Sequence, residues 1–536
     1  MPSPAPVVTC SGVDFAWPDG TPVFTDFSLV IGPGRTGLIG LNGSGKSTLL
    51  RLIAGELAPS RGSVTVEGDL GYVPQNVALG GAGARVEDAL GIAGVRAALT
   101  AIEAGDASEA NFAAVGGDWD VDERARATLD RLGLGHVPLD RPMTGLSGGE
   151  AVLLTLAAQL LRRPGVLLLD EPTNNLDLDA RRRLREAAGS WTGAMVIVSH
   201  DRELLGLVDQ VAELRDGQVR WYGGNLADYE AAVAVEQEAA ERTVRAAESD
   251  VRRQQRELIE TRTKLDRRLR YARKMQENKR VPKILANERK RQAQVSAAKL
   301  RDTQAGRLDE ARDRLAAAEE AVRDDDEIRI DLPATAVPAG RGVLALTALE
   351  VRYGSRASLV LRGPERVALT GRNGAGKTTL LRTITGEVPP VAGQARVSVP
   401  ARYLPQRLDI LDPGLSVVRN VARAAPAATE NQIRAQLARF LFRGRRADQP
   451  ARTLSGGELF RATLAALLLA EPAPQLLLLD EPTNSLDMAS VRQLSGALRS
   501  YQGALIVASH DVPFLRDIGI TRWLRLDGDL IETGPL

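Results

Sequence analysis

The stretch GLNGSGKST, residues 40–48, recurs in the second half of the chain as GRNGAGKTT, residues 371–379. Both copies fit the pattern G-x-x-x-x-G-K-[ST], a glycine-rich loop whose backbone N–H groups surround phosphate groups. Each copy runs into a helix-forming segment, TLLRLIAGE or TLLRTITGE. The positive dipole end of such a helix faces the anion. We therefore predict an α/β fold with two domains of the phosphate-loop type.

The residues of the two loops are the first candidates for nucleotide binding. The lysine reaches the terminal phosphates, and the hydroxyl of Ser47 or Thr378 can hold Mg²⁺. The chain has eight lysines, and only Lys46 and Lys377 lie outside the segment 264–299. The predicted ligands are Gly40, Asn42, Gly43, Gly45, Lys46, Ser47 and Thr48 in the first loop, and Gly371, Asn373, Gly374, Gly376, Lys377, Thr378 and Thr379 in the second.

Four more segments recur in the same order in both halves. YVPQ (72–75) matches YLPQ (403–406), and LSGGE occurs at 146–150 and at 454–458. VLLLDEPTNNLD (166–177) matches LLLLDEPTNSLD (476–487), and MVIVSHD (195–201) matches LIVASHD (505–511). An ordered series of matches of this kind indicates an internal duplication.

Length and composition agree with two domains and a connector. A chain of 536 residues is too long for one core, and 44% hydrophobic residues can bury two. The single cysteine, Cys10, excludes a disulfide framework and a cysteine-rich zinc site within the chain and indicates a reducing, cytoplasmic compartment. No signal peptide is recognisable, and the longest apolar runs are far shorter than the roughly 18 residues of a membrane helix. We expect no integral membrane segment.

The repeated motifs resemble the Walker A, Q-loop, signature, Walker B, D-loop and H-switch elements of ABC ATPases. Two such cassettes in one chain, with a charged connector and no membrane domain, resemble the ABC-F family over essentially the whole length. The resemblance implies two ATP molecules sandwiched head to tail between the cassettes. One would lie between Lys46 and Ser455, and the other between Lys377 and Ser147.

The apolar runs VLLLD and LLLLD predict buried parallel strands that end in a carboxylate. Asp170 and Asp480 are then the expected Mg²⁺ ligands, and Glu171 and Glu481 would polarise the attacking water. A carboxylate that only caps a helix is the alternative. In the MVIVSHD and LIVASHD segments, His200 and His510 would contact the γ-phosphate and the water. At the ends of YVPQ and YLPQ, Gln75 and Gln406 would sense Mg²⁺ and the water. The third histidine, His136, is better explained as a core residue with its hydrogen bonds satisfied.

Further nucleotide contacts are expected from the signature loops and from two aromatic residues. Ser147 and Ser455 are good helix N-caps, and Gly149 and Gly457 permit close approach of the backbone to an anion. The resemblance places an adenine-stacking aromatic at Trp17 and Tyr353, either of which could instead be a surface residue. Both sites keep their lysine, aspartate, glutamate and histidine, so we expect both to hydrolyse ATP. About 23 extra residues near 91–117 of the first half predict a small arm or a longer helical subdomain.

The middle of the chain predicts a basic helical hairpin. Between 251 and 300 it carries 17 Lys plus Arg and 5 Asp plus Glu, although the whole chain has a net charge of +1. Strong helix formers dominate residues 231–323, and Pro282 predicts a turn near 280–284. A solvated spacer is the alternative, but localised charge favours a polyanion, and the scarcity of aromatics favours phosphate contacts with structured RNA. The expected RNA contacts are Lys274, Lys279, Arg280, Lys283, Arg289 and Lys290.

The resemblance to the ABC-F family also implies which polyanion the hairpin binds. In ABC-F proteins the hairpin enters the ribosomal E site and contacts P-site tRNA. This implies a ribosome-associated translation factor or antibiotic-resistance protein, with ribosomal RNA and tRNA as partners and a monomer whose cassettes pair internally. The alternatives are the ATP-hydrolysing subunit of a membrane exporter and a DNA-repair or chromosome-structure ATPase. The predicted domains are residues 1–230, 231–330 and 331–536.

Overall fold

The chain folds into two compact units. The computed structural model describes residues 8–77, 83–174, 176–277, 302–319, 330, 332–352, 354–484 and 486–535. The first unit comprises Met1–Tyr229 and Glu327–Leu536, and the second comprises Glu230–Asp326. The first unit therefore contains both phosphate-binding loops, and the second contains the basic middle segment.

The first cassette is built on two sheets. Its strands are β1 (Val8–Ala16), β2 (Pro22–Ile31), β3 (Arg35–Ile39), β4 (Arg61–Val66), β5 (Leu70–Val73), β6 (Val166–Asp170), β7 (Ala194–Val198), β8 (Gln210–Arg215) and β9 (Gln218–Gly223). An antiparallel sheet has the order β2-β1-β4, and a second sheet has the order β5-β6-β7-β3-β8-β9. In the second sheet only β9 runs antiparallel to its neighbour. The loop of residues 40–45 therefore leaves the carboxyl end of a central parallel strand, β3.

Helices cover the parallel sheet of the first cassette. They are α1 (Lys46–Ile53), α2 (Val86–Ala89), α3 (Ala93–Glu103), α4 (Glu109–Val115), α5 (Val121–Arg131), α6 (Gly148–Arg162), α7 (Leu178–Gly189) and α8 (Arg202–Leu205). The extra residues near 91–117 form α3 and α4. These helices bury Ala98 and Val115, and Arg96 forms ion pairs with Glu87 and Asp122. The structure thus favours the longer helical subdomain over a separate arm.

In its described residues, the second unit consists of two helices. The first, α9 (Leu226–Glu277), has 52 residues and begins within the first unit, which corresponds to a length of about 78 Å. Residues 302–319 are also helical and are called α10. Val251 of α9 packs against Leu308 and Ala311 of α10. Asp250 forms an ion pair with Arg314, with 3.1 Å between Oδ2 and Nη2. The predicted turn near 280–284 lies outside the described residues.

The second cassette repeats the first with one joined sheet. Its strands are β10 (Gly342–Glu350), β11 (Arg356–Arg362), β12 (Arg366–Thr370), β13 (Ala392–Val397), β14 (Ala401–Leu404), β15 (Leu476–Asp480), β16 (Ala504–Ala508), β17 (Arg522–Asp527) and β18 (Asp529–Thr533). Its helices are α11 (Lys377–Ile384), α12 (Val417–Ala424), α13 (Glu430–Arg439), α14 (Gly456–Leu468), α15 (Met488–Ser500) and α16 (Val512–Asp517). The order is β13-β10-β11-β18-β17-β12-β16-β15-β14. The antiparallel and parallel parts are joined because β11 pairs with β18 at Arg356 and Asp529.

The predicted buried strands are confirmed. All five residues of β6 and of β15 are buried, and each strand has parallel neighbours on both sides. Apolar side chains on both faces are what a sheet covered by helices requires. The predicted α/β fold with two phosphate-loop domains is therefore correct, and Asp170 and Asp480 lie at the carboxyl ends of these strands.

Candidate functional site

The two phosphate-binding loops are held against the sheets by glycines. Gly40 has φ 156°, and a Cβ added there would lie 2.3 Å from the carbonyl oxygen of Leu214. Gly371 has φ 144°, and its Cβ would lie 2.4 Å from the carbonyl oxygen of Leu526. Only glycine permits both this backbone conformation and this approach. The loops therefore occupy a space that any side chain at these positions would fill.

Each loop encloses its own lysine. Lys46 Nζ donates to the carbonyl oxygens of Gly40 and Leu41, both at 2.9 Å. Lys377 Nζ donates to the carbonyl oxygen of Gly371 at 2.8 Å and lies 3.0 Å from His510 Nε2. Burial lowers the pKa of both ammonium groups, and nearby carboxylates oppose that shift. These cations are poorly solvated and therefore attract an anion strongly.

The predicted Mg²⁺ ligands of the first site lie together. Ser47 Oγ donates to Asp170 Oδ1 at 3.0 Å. Burial raises the pKa of the Asp170 carboxyl, and the bond from Ser47 opposes this shift. A hydroxyl, a carboxylate and phosphate oxygens are the oxygen ligands that Mg²⁺ prefers.

A tyrosine holds each Walker B aspartate, a contact that was not predicted. The hydroxyl of Tyr72 donates to Asp170 Oδ2 at 3.5 Å, and that of Tyr403 donates to Asp480 Oδ2 at 3.0 Å. Burial raises the pKa of both phenols, so they remain protonated donors. Both residues were present in the repeated YVPQ and YLPQ segments, which are the signal that could have pointed to them.

We expect Tyr403→Phe to raise the Mg²⁺ concentration needed for half-maximal ATP hydrolysis. Loss of a partner that orients a metal ligand typically costs about 10-fold or more in metal affinity. A Mg²⁺ titration of ATP turnover, with Glu481 as the only intact catalytic glutamate, measures the change. Tyr271→Phe, at a tyrosine that is 65% exposed on α9, is the matched control. An unchanged Mg²⁺ requirement in Tyr403→Phe would contradict the assignment.

The two glutamates predicted to polarise the attacking water have a strained backbone. Glu171 has φ 47° and Glu481 has φ 46°, a conformation that costs roughly 1–3 kcal/mol for a residue other than glycine. The backbone N–H of Glu171 still donates to the Val198 carbonyl oxygen at 2.8 Å, which ties the turn to β7. This turn directs each glutamate toward a histidine. Glu171 Oε1 lies 3.1 Å from His200 Nε2, and Glu481 Oε1 lies 3.4 Å from His510 Nε2.

Burial shifts both members of each pair toward their neutral forms. It raises the pKa of Glu171 to about 8 and that of Glu481 to about 7. It lowers the pKa of His200 to about 4 and also lowers that of His510. Lys46 and Lys377 favour the charged carboxylates and so oppose the shifts of the glutamates. A carboxyl with a pKa near neutrality suits general-base catalysis.

Two cavities of similar size combine these groups. The first, of about 420 Å³, is lined by Trp17, Val23, Asn42, Gly43, Gly45, Lys46, Ser47, Thr48, Gln75, Glu171, Asn174, Val198 and His200. The second, of about 400 Å³, is lined by Leu176, Arg181, Arg372, Asn373, Gly374, Gly376, Lys377, Thr378, Thr379, Gln406, Asp480, Glu481, Asn484 and His510. Most of the predicted loop, switch and acidic residues are therefore collected at two equivalent places.

Comparison with known proteins agrees with this geometry. The ABC transporter family profile matches residues 24–174 and 355–484. The chain is 37% identical over 550 residues to the tylosin resistance ATP-binding protein TlrC of Streptomyces fradiae, with 95% of each chain covered. It is 31% identical over 538 residues to the energy-dependent translational throttle protein EttA of Mycobacterium tuberculosis (strain CDC 1551 / Oshkosh), with 95% of this chain and 89% of that protein covered. The chain belongs to the ABC-F family.

As an ABC-F protein, the chain is an ATPase that binds nucleotide. Its fold is similar to that of the RNase-L Inhibitor, with a TM-score of 0.56 at 19% identity over 94% of this chain and 86% of that one. None of the helices in the described parts of the chain is both long enough and apolar enough to cross a membrane.

The D-loop of each cassette, TNNLD or TNSLD, lies beside the phosphate-binding loop of the other cassette. Asp487 Oδ2 accepts a hydrogen bond from the backbone N–H of Asn42 at 3.1 Å. In the other direction, Asp177 lies near Lys377 and favours its charged form, and Leu176 and Arg181 line the second cavity. The repeated TNNLD and TNSLD segments carried the two aspartates, but their position opposite the other cassette was not predicted.

The described residues that line the two cavities do not include the signature loops. Ser147 Oγ accepts from the Glu150 N–H at 3.3 Å, and Ser455 Oγ accepts from the Glu458 N–H at 3.4 Å. The predicted N-caps are therefore confirmed. Among the described residues that line the cavities, the four predicted signature contacts do not occur: Ser147, Gly149, Ser455 and Gly457. The nucleotide sandwich thus stays a prediction.

Two further predictions concern the third histidine, His136, and the adenine-stacking aromatics Trp17 and Tyr353. His136 is not in the core: its side chain is 61% exposed, and its Nε2 lies 3.0 Å from Glu150 Oε1. It lies in a turn that follows α5 and so reaches the surface. Tyr353 lies outside the described residues, whereas Trp17 lines the first cavity beneath Arg51, with 5.9 Å from the guanidinium carbon to the ring centroid.

The residues present fit a magnesium–nucleotide complex. In the described parts of the chain, buried polar atoms without a hydrogen-bond partner include Ser44 Oγ in the first loop, and Glu481 Oε2 and His510 Nδ1 at the second site. Such atoms are costly to bury unless a ligand or water pairs with them. The described residues contain no cluster of three or more metal-ligating carboxylate, histidine or cysteine side chains. This suits Mg²⁺, which takes one or two carboxylates and completes its shell with phosphate oxygens and water.

Proposed function

We propose that this ABC-F ATPase acts on the ribosome, with two ATP molecules bound between its cassettes and its basic linker in contact with ribosomal RNA and P-site tRNA at the E site. It would work in the cytoplasm as a monomer, either as a translation factor or as a resistance protein that protects the ribosome. The observation that carries the proposal is the combination of two cavities built on phosphate-binding loops with a 52-residue helix that becomes basic along its length.

The charge along α9 supports an RNA partner. At its middle, Arg252 and Arg253 form ion pairs with Glu248 and Asp250. Farther along, Arg262, Arg267 and Arg270 are exposed. The expected RNA contacts lie beyond them. Of these, Lys274 is in the last turns of α9, and Lys279, Arg280, Lys283, Arg289 and Lys290 lie outside the described residues. Exposed cations in this number attract phosphate groups at a distance.

The cassette residues suggest how hydrolysis would proceed. Ser47 with Asp170, and Thr378 with Asp480, would hold Mg²⁺, with Gln75 and Gln406 beside it. The metal would neutralise charge on the phosphates. Lys46 and Lys377 would hold the terminal phosphate oxygens. Glu171 and Glu481, in their carboxylate forms, would take a proton from the attacking water, while His200 and His510 would orient that water.

The names of the relatives support an action on translation or on antibiotic susceptibility. The printed names concern tylosin resistance in one case and an energy-dependent translational throttle in the other. Both proteins match this chain over nearly its whole length, so the linker as well as the cassettes is covered.

Co-sedimentation with ribosomes tests the proposal. The Glu171→Gln, Glu481→Gln double variant should keep ATP bound, so we expect it to pellet with ribosomes in ATP and to remain in the supernatant in ADP. The unmodified chain in ATP should pellet less because it turns the nucleotide over. Absence of binding in both nucleotide states would reject the ribosome proposal. Recovery of the protein with membranes instead would favour the exporter subunit.

A further inference from the structure

The two cassettes differ at one position that faces a nucleotide site. Arg181 follows the D-loop aspartate Asp177 on α7, and Val491 occupies the equivalent position after Asp487 on α15. Arg181 lines the cavity of the second cassette together with Lys377, although it belongs to the first cassette. The two halves of the chain therefore differ at this position, with an arginine after the first D-loop and a valine after the second.

Arg181 is fixed in place by the first cassette. Its side chain is only 11% exposed, and its Nη1 lies 3.4 Å from Asp201 Oδ2, whose side chain is 6% exposed. Its Nε donates to the carbonyl oxygen of Leu176 in the D-loop at 3.2 Å. A buried guanidinium needs such partners because desolvation of an unpaired charge is costly. Arg181 thus links the D-loop to the residue that follows the switch histidine His200.

The same arginine lies at the glutamate–histidine pair of the other cassette. The cavity that Arg181 lines is also lined by Lys377, Glu481 and His510. One cation from the first cassette therefore adds to Lys377 at the second site.

Among the described residues, the first site has no counterpart of Arg181. Val491 is 9% exposed and belongs to the hydrophobic core of the second cassette, and it is not among the described residues that line the first cavity. Of the lysines and arginines described, Lys46 lines the first cavity, whereas Lys377, Arg372 and Arg181 line the second. The second site therefore receives a guanidinium from the opposite cassette, and the described lining of the first site does not.

We propose that Arg181 is a positioning residue that the first cassette supplies to the second nucleotide site, where it holds Glu481 and His510 in their working arrangement, and that the first site works without a counterpart. The two sites are then unequal, and the second is the faster. The inference concerns ATP hydrolysis itself and is independent of the action proposed on the ribosome.

Single-site backgrounds test this assignment. In a Glu171→Gln background only the second site turns over, and we expect Arg181→Val to lower its kcat by about 10-fold with little change in KM for ATP. The loss in a Glu481→Gln background should be several-fold smaller. Arg181→Lys should recover part of the rate because it keeps the charge. Arg182→Ala, at an arginine that is 60% exposed one residue along, is the matched control. Equal losses in both backgrounds, or no loss in the first, would overturn the proposal.

If a single-glutamine background has no measurable turnover, the same variants are compared in the otherwise unmodified chain. There, Arg181→Val should lower kcat with little change in KM for ATP, Arg181→Lys should recover part of the rate, and Arg182→Ala should match the unmodified chain. A kcat that Arg181→Val leaves unchanged would overturn the proposal as well.

Discussion

Replacement of both Glu171 and Glu481 by glutamine is expected to reduce ATP turnover by about 100-fold to 10,000-fold, which is the usual contribution of a positioned general base. Glutamine keeps the size of the side chain but cannot accept the proton of the attacking water. Affinity for ATP should be retained, because Lys46, Lys377 and the glycine loops are unchanged. Phosphate release and equilibrium binding of a fluorescent ATP analogue measure the two quantities separately.

A control for this double variant comes from the duplication itself. Glu56 and Glu387 occupy equivalent positions after α1 and α11, with side chains 47% and 50% exposed. The Glu56→Gln, Glu387→Gln variant should hydrolyse ATP at the rate of the unmodified chain. If the catalytic double variant kept more than about a tenth of the original rate, another group would have to act as the base.

The unmodified enzyme should become faster as the pH rises from about 6 to 9, because burial raises the pKa of Glu481 to about 7 and that of Glu171 to about 8. The carboxylate is the active form of a general base, so activity increases as the pH passes each raised pKa. Initial rates at fixed ionic strength measure this profile. A rate that is flat across this range would indicate that proton transfer to these glutamates does not limit turnover.

Charge reversal in the linker is expected to have the other large effect. The Lys279→Glu, Arg280→Glu, Lys283→Glu variant should bind ribosomes at least about 10-fold more weakly, with a salt dependence reduced by about one phosphate contact per residue. All three residues lie outside the described residues. The described part of the linker also carries exposed positive charge, at the arginines of α9. Ribosome binding at several salt concentrations measures both changes.

The control for the linker keeps the charge. Lys279→Arg, Lys283→Arg should bind ribosomes as the unmodified chain does, since phosphate attraction depends mainly on charge. ATP binding should be the same in both linker variants. Unchanged ribosome affinity after the triple reversal would refute the proposed RNA contact, even if the cassettes bind ribosomes by another surface.

Much of the candidate site could be predicted from sequence because its parts lie in short contiguous motifs. Lys46 with Ser47, Asp170 with Glu171, and His200 each follow a strand of one parallel sheet, and the carboxyl ends of such strands meet at one edge. The duplication then supplied an internal test of every motif. The fold could be predicted for the same reason, since the short apolar runs VLLLD and LLLLD are typical of strands buried on both faces, and the structure shows them as such.

Contacts between motifs could not be predicted in this way. Tyr72 reaches Asp170 because β5 pairs with β6, with Tyr72 opposite Leu168. Neither sequence segment indicates which strand its neighbour in the sheet will be. Arg181 faces the second site through the packing of one cassette on the other. The difference between Arg181 and Val491 was visible in the sequence, but its meaning depends on that packing. The left-handed backbone of Glu171 and Glu481 is likewise imposed by the turn after a buried strand.

The joined sheet of the second cassette implies different opening behaviour in the two halves. There, β11 pairs with β18 at Arg356 and Asp529, and the Arg356 N–H donates to the carbonyl oxygen of Gly528, just before β18, at 2.8 Å. The first cassette has two separate sheets in its described residues. Regions with fewer such ties open at lower free energy. In hydrogen–deuterium exchange, the amides of β1, β2 and β4 should therefore exchange before those of the parallel sheet of the first cassette. The amides of β10 and β11 should exchange together with those of the parallel strands of the second cassette.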